Sequence, residues 1–178
     1  MLTVERARER LSYDPATGAL TWLERPRSEF SRDRLWVTWN KRWAGKEAGS
    51  VGVNGYRYVT VDGVKYLSHR VIWLIATGAW PANDIDHEHG RRSDNQFDAL
   101  REATRGENLK NCCRRKDNSS GTTGVYLDRS RGKWVAVIHS DGITHHLGRH
   151  ESIDDAIAAR KSAEAIHGFH ENHGREAA

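Results

Sequence analysis

The sequence predicts an α+β protein made of small modules, and three observations lead to this fold class. Short alternating apolar runs joined at Asp-Gly pairs predict antiparallel hairpins within residues 56–67 and 133–147. Ser or Thr followed three residues later by an acid predicts helix starts at Thr104 and Ser152. Only 37% of the residues are apolar and seven are tryptophan, so several small cores supported by aromatic rings fit better than one large core.

Residues 1–80 are expected to form an N-terminal accessory region with a β-hairpin and a helix. A turn and a short strand are predicted over residues 14–22, followed by a charged loop over residues 24–34 in which no period is visible. The hairpin that turns at an Asp-Gly pair leads into a helix, which Ser68 is predicted to cap and Gly78 to close.

Residues 81–113 predict a strand, a Gly-containing polar loop, a second short element and a helix. The strand is expected at 85–87, the second element near 97–101, and the helix from Thr104 to about Cys113. So short a unit cannot bury a conventional core, and it usually needs a metal or a flanking domain.

The remaining chain predicts a basic linker at 114–123, a sheet-plus-helix domain at 124–170 and a tail at 171–178. The helix begins after Ser152, and its apolar face matches one face of the central strand, residues 133–139. Alternation places three apolar residues of that strand toward the helix, namely Trp134, Ala136 and Ile138, and the intervening residues Lys133, Val135, Val137 and His139 outward.

Charge and hydropathy favour a cytoplasmic protein with a polyanionic partner. The formal net charge is +4, and residues 101–135 alone carry +5, from nine Lys or Arg against four acids. The longest apolar run, residues 71–76, is far shorter than the roughly 20 residues that cross a bilayer. The charged N-terminus predicts no signal peptide. Cys112 and Cys113 are adjacent and are expected to be reduced thiols.

The densest group of metal-competent side chains contains Asp86, His87, Asn95 and Asn108. Hydrolysis of a phosphodiester needs hard oxygen ligands for a divalent cation and a neutral imidazole that accepts a proton from water. These residue types meet both needs. Composition and spacing alone leave two interpretations open, a metal-dependent phosphodiesterase and an inert surface loop.

Several segments resemble a known family of nucleases. The run IDHEHGRRSDNQFDALREATRGENLKN resembles the HNH motif of phage and intron-encoded homing endonucleases. The segments YDPATGALTW, GKEAG and GYRYVTVDGVKYLSHRVIWLIATGAWP resemble what precedes that motif in the same phage family. Residues 124–168 resemble the DNA-binding domain of plant ethylene-response factors. Together these segments cover nearly the whole chain in the expected order.

The resemblance implies a ββα-metal site that binds Mg²⁺ or Mn²⁺. Asp86 and Asn108 would be metal ligands, and His87 would be the general base. Asn95 would have a structural role in its loop, and His69 would pack or contact a phosphate rather than take part in catalysis.

One position departs from the family pattern. The asparagine that gives the motif its middle letter is Ala99 here, and alanine cannot hydrogen-bond through its side chain. His87 should therefore be less well oriented, and losing such a contact commonly slows a reaction on the order of 10²-fold. The chain would be either a naturally weakened nuclease or one in which Ala99 was introduced to trap a DNA complex, and the intact remainder of the motif favours the second.

The expected partner is double-stranded DNA, with no membrane. The predicted contact residues are basic side chains and the outward face of the C-terminal sheet: Arg114, Arg115, Lys116, Tyr126, Arg129, Arg131, Lys133, His139, Thr144 and His146. The functional hypothesis is a homing-type DNA endonuclease, with nicking favoured over double-strand cleavage. The oligomeric state is open, with a monomer favoured. The alternatives are a regulatory or architectural DNA-binding protein with a decayed nuclease centre, and a structural zinc module.

Overall fold

The computed structural model describes residues 1–176. Its helices are α1 (Val4–Arg10), α2 (Asp33–Trp43), α3 (Ser68–Thr77), α4 (Arg105–Leu109) and α5 (Ile153–Ile166). Its strands are β1 (Leu11–Asp14), β2 (Ala19–Trp22), β3 (Ser50–Val51), β4 (Arg57–Val61), β5 (Val64–Leu67), β6 (Asp84–His87), β7 (Leu100–Ala103), β8 (Val125–Asp128), β9 (Lys133–Ser140) and β10 (Ile143–His150). Short 3-10 helices lie at Arg27–Glu29 and Phe97–Ala99. The predicted α+β fold class is confirmed.

The chain divides into two compact units, Met1–Glu102 and a second unit that begins at Ala103. The first unit contains the β1–β2 hairpin, the β3–β4–β5 sheet and the β6–β7 pair, of which the last strand ends at the boundary. Its core is formed by apolar side chains of α1, α3, the strands and the segments beside them: Leu2, Ala7, Leu11, Leu20, Ala48, Val59, Val61, Val71, Ile72, Leu74, Ile85 and Leu100. The finer domain boundaries expected from the sequence stay a prediction.

The N-terminal 50 residues contain more helix than the sequence predicts. Helix α1, capped by the Thr3 side chain, was not predicted, and the loop expected at 24–34 is interrupted by a 3-10 helix and the start of α2. Helix α2 was not predicted because the aromatic rings through which it contacts its unit are separated by charged residues in the sequence. Trp39, for example, meets Trp22 edge-on at 5.9 Å between ring centroids.

The predicted hairpin and helix at the centre of the first unit are confirmed, with one correction. Strands β4 and β5 are joined at Asp62 and Gly63, which have φ of 48° and 81° and so adopt the left-handed conformation of a tight hairpin turn. Gly78 closes α3 at φ 83°. Ser68 does not cap this helix: it is the first helical residue and is buried, and Leu67 occupies the cap position.

The second unit is a three-stranded antiparallel sheet in the order β10-β9-β8, with α5 packed on one face. Its core joins Val125 and Ala136 to Ala156, with Trp134 beside them, as predicted. Ile138 is also buried. The prediction that Val135 faces solvent is wrong, because only 4% of this residue is exposed.

Two other features of the second unit bear on the sequence predictions. Helix α4 ends at Leu109 and not near Cys113. Residues 171–176, expected to be a tail, hydrogen-bond with the segment after α4: Gly174 N–H donates to the Cys112 carbonyl at 2.9 Å. Residues 177 and 178 of the expected tail lie outside the described residues. No helix within residues 1–176 is long and apolar enough to cross a membrane.

Candidate active site

The candidate site is built on the paired strands β6 and β7 of the first unit. Asp86 and His87 end β6 and are 7% and 4% exposed. Beyond them the chain turns at Gly90, which has φ 67°, and returns to β7 through Asn95. The Glu88 N–H donates to the Ala99 carbonyl at 3.0 Å. The backbone at the end of β6 is therefore fixed immediately after the predicted general base.

The imidazole of His87 is held by a hydrogen bond from its ring to Asn95 and by aromatic neighbours. Its Nε2 lies 3.2 Å from Oδ1 of Asn95, which is itself buried. The ring of His69 meets it edge-on at 4.9 Å between centroids, and Tyr56 lies at 5.8 Å. Burial lowers the pKa of His87 below its usual 6.5, against the opposing effect of the Asn95 hydrogen bond. The lowered pKa favours the neutral imidazole near pH 7, which is the form that a general base requires.

His69 lies at the start of α3 and is 3% exposed. Burial and the neighbouring His87 lower its pKa to about 3. Its Nδ1 has no hydrogen-bond partner among residues 1–176. A neutral ring in this position packs against His87 without adding a charge.

Asp86 has an unexpected cationic neighbour. One of its oxygens, Oδ2, accepts from Nη2 of Arg101 at 3.0 Å and from Nε at 3.2 Å. Arg101 lies on β7, and about a third of its side chain is exposed, against a tenth for Asp86. The carboxylate predicted to bind a metal is thus also the acceptor of an ion pair.

Asn108, the second predicted metal ligand, lies on α4 in the second unit. Helix α4 begins at a capping box: the Thr104 hydroxyl accepts from the Glu107 N–H, and the Glu107 side chain accepts from the Thr104 N–H. This motif confirms the predicted helix start. The donor chemistry of Asp86 and Asn108 fits Mg²⁺ or Mn²⁺, since both supply hard oxygens and Mg²⁺ typically takes only one or two protein carboxylates. Within residues 1–176, no three His, Cys, Asp or Glu side chains group as a metal site, so no cluster supports the zinc alternative.

Ala99 is buried and lies in the 3-10 helix before β7. Its backbone is bonded on both sides, since its carbonyl accepts from Glu88 and its N–H donates to the Gln96 carbonyl at 3.0 Å. An alanine at this position therefore keeps the main-chain link between the segment before β7 and the residue after His87.

Comparison with known proteins places this site within a recognised motif. Residues 66–110 match the family model of the HNH endonucleases. That segment contains Asp86, His87 and Asn108 and every side chain described around them except Tyr56. The chain is also 27% identical over 101 residues to Protein 3.8 of Escherichia phage T7, which covers 56% of this chain and 84% of that protein. No solved structure matches the chain.

The predicted sheet-face residues of the second unit lie together. In the strand register, Tyr126 is opposite Val135, His146 opposite Val137, and Thr144 opposite His139. Residues directly opposite share a face, and this is the face turned away from the core against α5. His139 also contacts Thr144 through a 3.0 Å hydrogen bond. The outer face thus carries five predicted contact residues: Tyr126, Lys133, His139, Thr144 and His146.

Several predicted basic residues already have acidic partners in the second unit. Arg115 pairs with Asp117 at 3.0 Å, Arg131 with Asp128 at 3.4 Å, and Lys133 with Glu151. Arg114 donates to the Gly121 carbonyl and pairs with Glu176. Lys116 and Arg129 are exposed. Arg114 and Lys116 line a cavity of about 250 Å³.

Sequence reasoning missed three neighbours of the predicted site and sheet face, and it assigned Asn95 only a structural role in its loop. Tyr56 lies against the ring of His87, Arg101 pairs with Asp86, and Arg149 lies opposite Val135 on the outer sheet face. The sequence placed Asn95 in the polar loop after the predicted strand, but its contact with His87 needed the folded loop.

Proposed function

We propose that this chain is a metal-dependent DNA endonuclease that hydrolyses phosphodiester bonds, with His87 as the general base. The observation that carries the proposal is the position of His87: a buried, neutral imidazole lies at the end of a strand, fixed by a side-chain hydrogen bond, inside the segment that matches the HNH endonucleases. This is the arrangement needed to accept a proton from water at neutral pH.

In the proposed reaction, His87 takes the proton of a water molecule whose oxygen attacks the phosphorus, and the bond from phosphorus to the 3′-oxygen breaks. Asp86 and Asn108 would hold Mg²⁺ or Mn²⁺, which supplies stabilisation of the negative charge on the leaving oxygen. The Asp86 carboxylate, next to His87 in the chain, favours the imidazolium that forms.

The second unit would supply affinity for double-stranded DNA. Its outer sheet face presents aromatic, hydroxyl and imidazole groups, and a sheet of this kind can enter the major groove, which is about 12 Å wide. The basic side chains of residues 114–116 and 129–133 would contact phosphates, so that binding weakens as salt rises. We place the action in the cytoplasm of a bacterial host, with a homing role, site-specific cleavage and nicking by a monomer.

The proposal is tested by cleavage of supercoiled plasmid with Mg²⁺ or Mn²⁺. We expect nicked product from this chain or from Ala99→Asn, and none from His87→Ala or Asp86→Asn. DNA binding, measured in parallel without metal, should be unchanged in all variants. If neither this chain nor Ala99→Asn cuts while salt-sensitive binding persists, the chain is a DNA-binding protein with a decayed nuclease centre.

A further inference from the structure

We infer that Asn95 is the positioning residue of His87, and that the N-terminal β1–β2 hairpin holds Asn95 in place for this role. The inference rests on the proposed function, because it assigns the orientation of the proposed general base. It concerns a residue expected from the sequence to support only its own loop, and a hairpin outside the segment that matches the HNH endonucleases.

The first step is the contact between the two side chains. Oδ1 of Asn95 is an acceptor only, so the 3.2 Å contact requires Nε2 of His87 to carry the proton. In the neutral ring the basic lone pair then resides on Nδ1. Both residues are buried, at 4% and 2% exposure, where water competes weakly for the hydrogen bond. Asn95 thus fixes which nitrogen of His87 accepts a proton.

The second step is the support of Asn95 itself. The Tyr13 hydroxyl donates to the Asn95 carbonyl at 3.0 Å, and the side-chain amide of Gln96 donates to the Ala16 carbonyl. Tyr13 lies on β1, and Ala16 lies in the turn that follows it. The loop that carries Asn95 is therefore bonded to the hairpin on two successive residues.

Gly18 shows how close this approach is. It has φ +73°, and a Cβ atom added there would lie 2.6 Å from the Asn95 carbonyl carbon and 2.6 Å from the Gln96 nitrogen. Both neighbours are backbone atoms, which cannot move aside without displacing the loop. A side chain at position 18 would therefore push Asn95 away from the hairpin.

This arrangement also changes the expectation for Ala99. The family asparagine missing at position 99 was expected to leave His87 poorly oriented. The imidazole nevertheless donates a hydrogen bond to the side chain of Asn95, and the Ala99 carbonyl still accepts from the Glu88 N–H. The orientation of His87 should therefore depend more on position 95 than on position 99.

The test is ¹⁵N NMR of the His87 ring in the full chain near pH 7.5. We expect a protonated Nε2 in the chain and in Asn95→Asp, which keeps an acceptor of the same shape, and a mixture of tautomers in Asn95→Leu, which has none. Plasmid cleavage by Asn95→Leu should fall on the order of 10²-fold with unchanged DNA binding, whereas Ala99→Asn should change the rate by less.

The hairpin is tested with two matched glycine variants. Gly18→Ala and Gly63→Ala both place alanine at a positive φ in the first unit, but a Cβ at position 63 meets nothing within 4 Å. Gly18→Ala should shift the His87 ring signals and slow cleavage, and Gly63→Ala should only lower stability. Tyr13→Phe should act like a milder Gly18→Ala.

Two results would overturn the inference. One is a protonated Nδ1 in the unmodified chain; the other is the same His87 spectrum in Asn95→Leu as in the unmodified chain. If the spectra behave as expected but no variant cleaves DNA, the positioning contact stands and the proposed nuclease function fails.

Discussion

Removing the guanidinium that pairs with Asp86 should make the proposed metal site bind a divalent ion more tightly. Nε and Nη2 of Arg101 both donate to Oδ2 of Asp86, at 3.2 and 3.0 Å. A divalent ion that uses this oxygen must displace both hydrogen bonds, so in the variant Arg101→Met the ion no longer competes with them.

The magnitude follows from the exposure of the pair. Arg101 is about one-third exposed and Asp86 about one-tenth, which places the pair between a surface ion pair and a buried one, at about 1 to 1.5 kcal/mol. Since 1.4 kcal/mol corresponds to a tenfold change in affinity, the Kd for Mn²⁺ should fall about five- to tenfold in Arg101→Met.

The assay is titration of metal-free protein with Mn²⁺, followed by electron paramagnetic resonance. Arg91→Met is the matched control, since it removes the same charge from an exposed position of the same unit. Asp86→Asn should abolish the effect of Arg101→Met. The reasoning is refuted if Arg101→Met binds Mn²⁺ no more tightly than Arg91→Met while circular dichroism shows that both are folded.

Three further predictions concern stability and DNA binding. Glu29 pairs at 2.5 Å with Arg10, which is 2% exposed. This contact lowers the Glu29 pKa from 4.5 to about 2. The pair therefore stabilises the folded state above pH 4.5, and this stabilisation is lost as the pH falls toward 2. Glu29→Gln should cost about 2 kcal/mol at pH 7, and thermal unfolding should show this difference vanishing at low pH. Gly124→Ala should destabilise the second unit by about 2 kcal/mol or more, measured by urea unfolding, because a Cβ at φ +78° would lie 2.3 Å from the Val137 carbonyl oxygen. Arg129→Ala should lower the slope of log affinity against log salt by about 1, if it contacts one phosphate.

Each of these has a control of the same chemistry. Glu24→Gln, in an exposed acid, should leave the acid dependence of stability unchanged. Gly142→Ala, at φ +80° with nothing within 4 Å of the added Cβ, should cost about 1 kcal/mol. Lys161→Ala, on α5, should not change the salt slope. Equal effects in any variant and its control would contradict the contact assigned to that residue.

The sequence was sufficient wherever structure depends on neighbouring residues. The Asp-Gly turns need two consecutive residues at positive φ, and both were predicted because few other pairs tolerate that conformation. The capping box at Thr104 was predicted for the same reason. Helix α2 was missed because its contacts are made by separated Trp side chains whose period is hidden among charged residues.

At the candidate site, the sequence alone was not sufficient. The sequence predicted that His87 and Asp86 are reactive site residues, but it did not predict which side chains contact them. The conformation of the loop between Gly90 and Asn95 determines which side chain lies against the imidazole. Arg101 could not be paired with Asp86 without the register of two short strands. Tertiary contacts, not local propensity, determine these choices.

The contact between the first hairpin and the Asn95 loop bears on how this protein could be engineered. A fusion enzyme built by transplanting only residues 66–110, the segment that matches the nuclease family, would leave behind Tyr13, Ala16 and Gly18. The loop that carries Asn95, the hydrogen-bond partner of His87, would then lack its contacts with the hairpin. A graft of residues 11–110 would carry these three residues together with the matching segment, so a transferable segment should begin at β1.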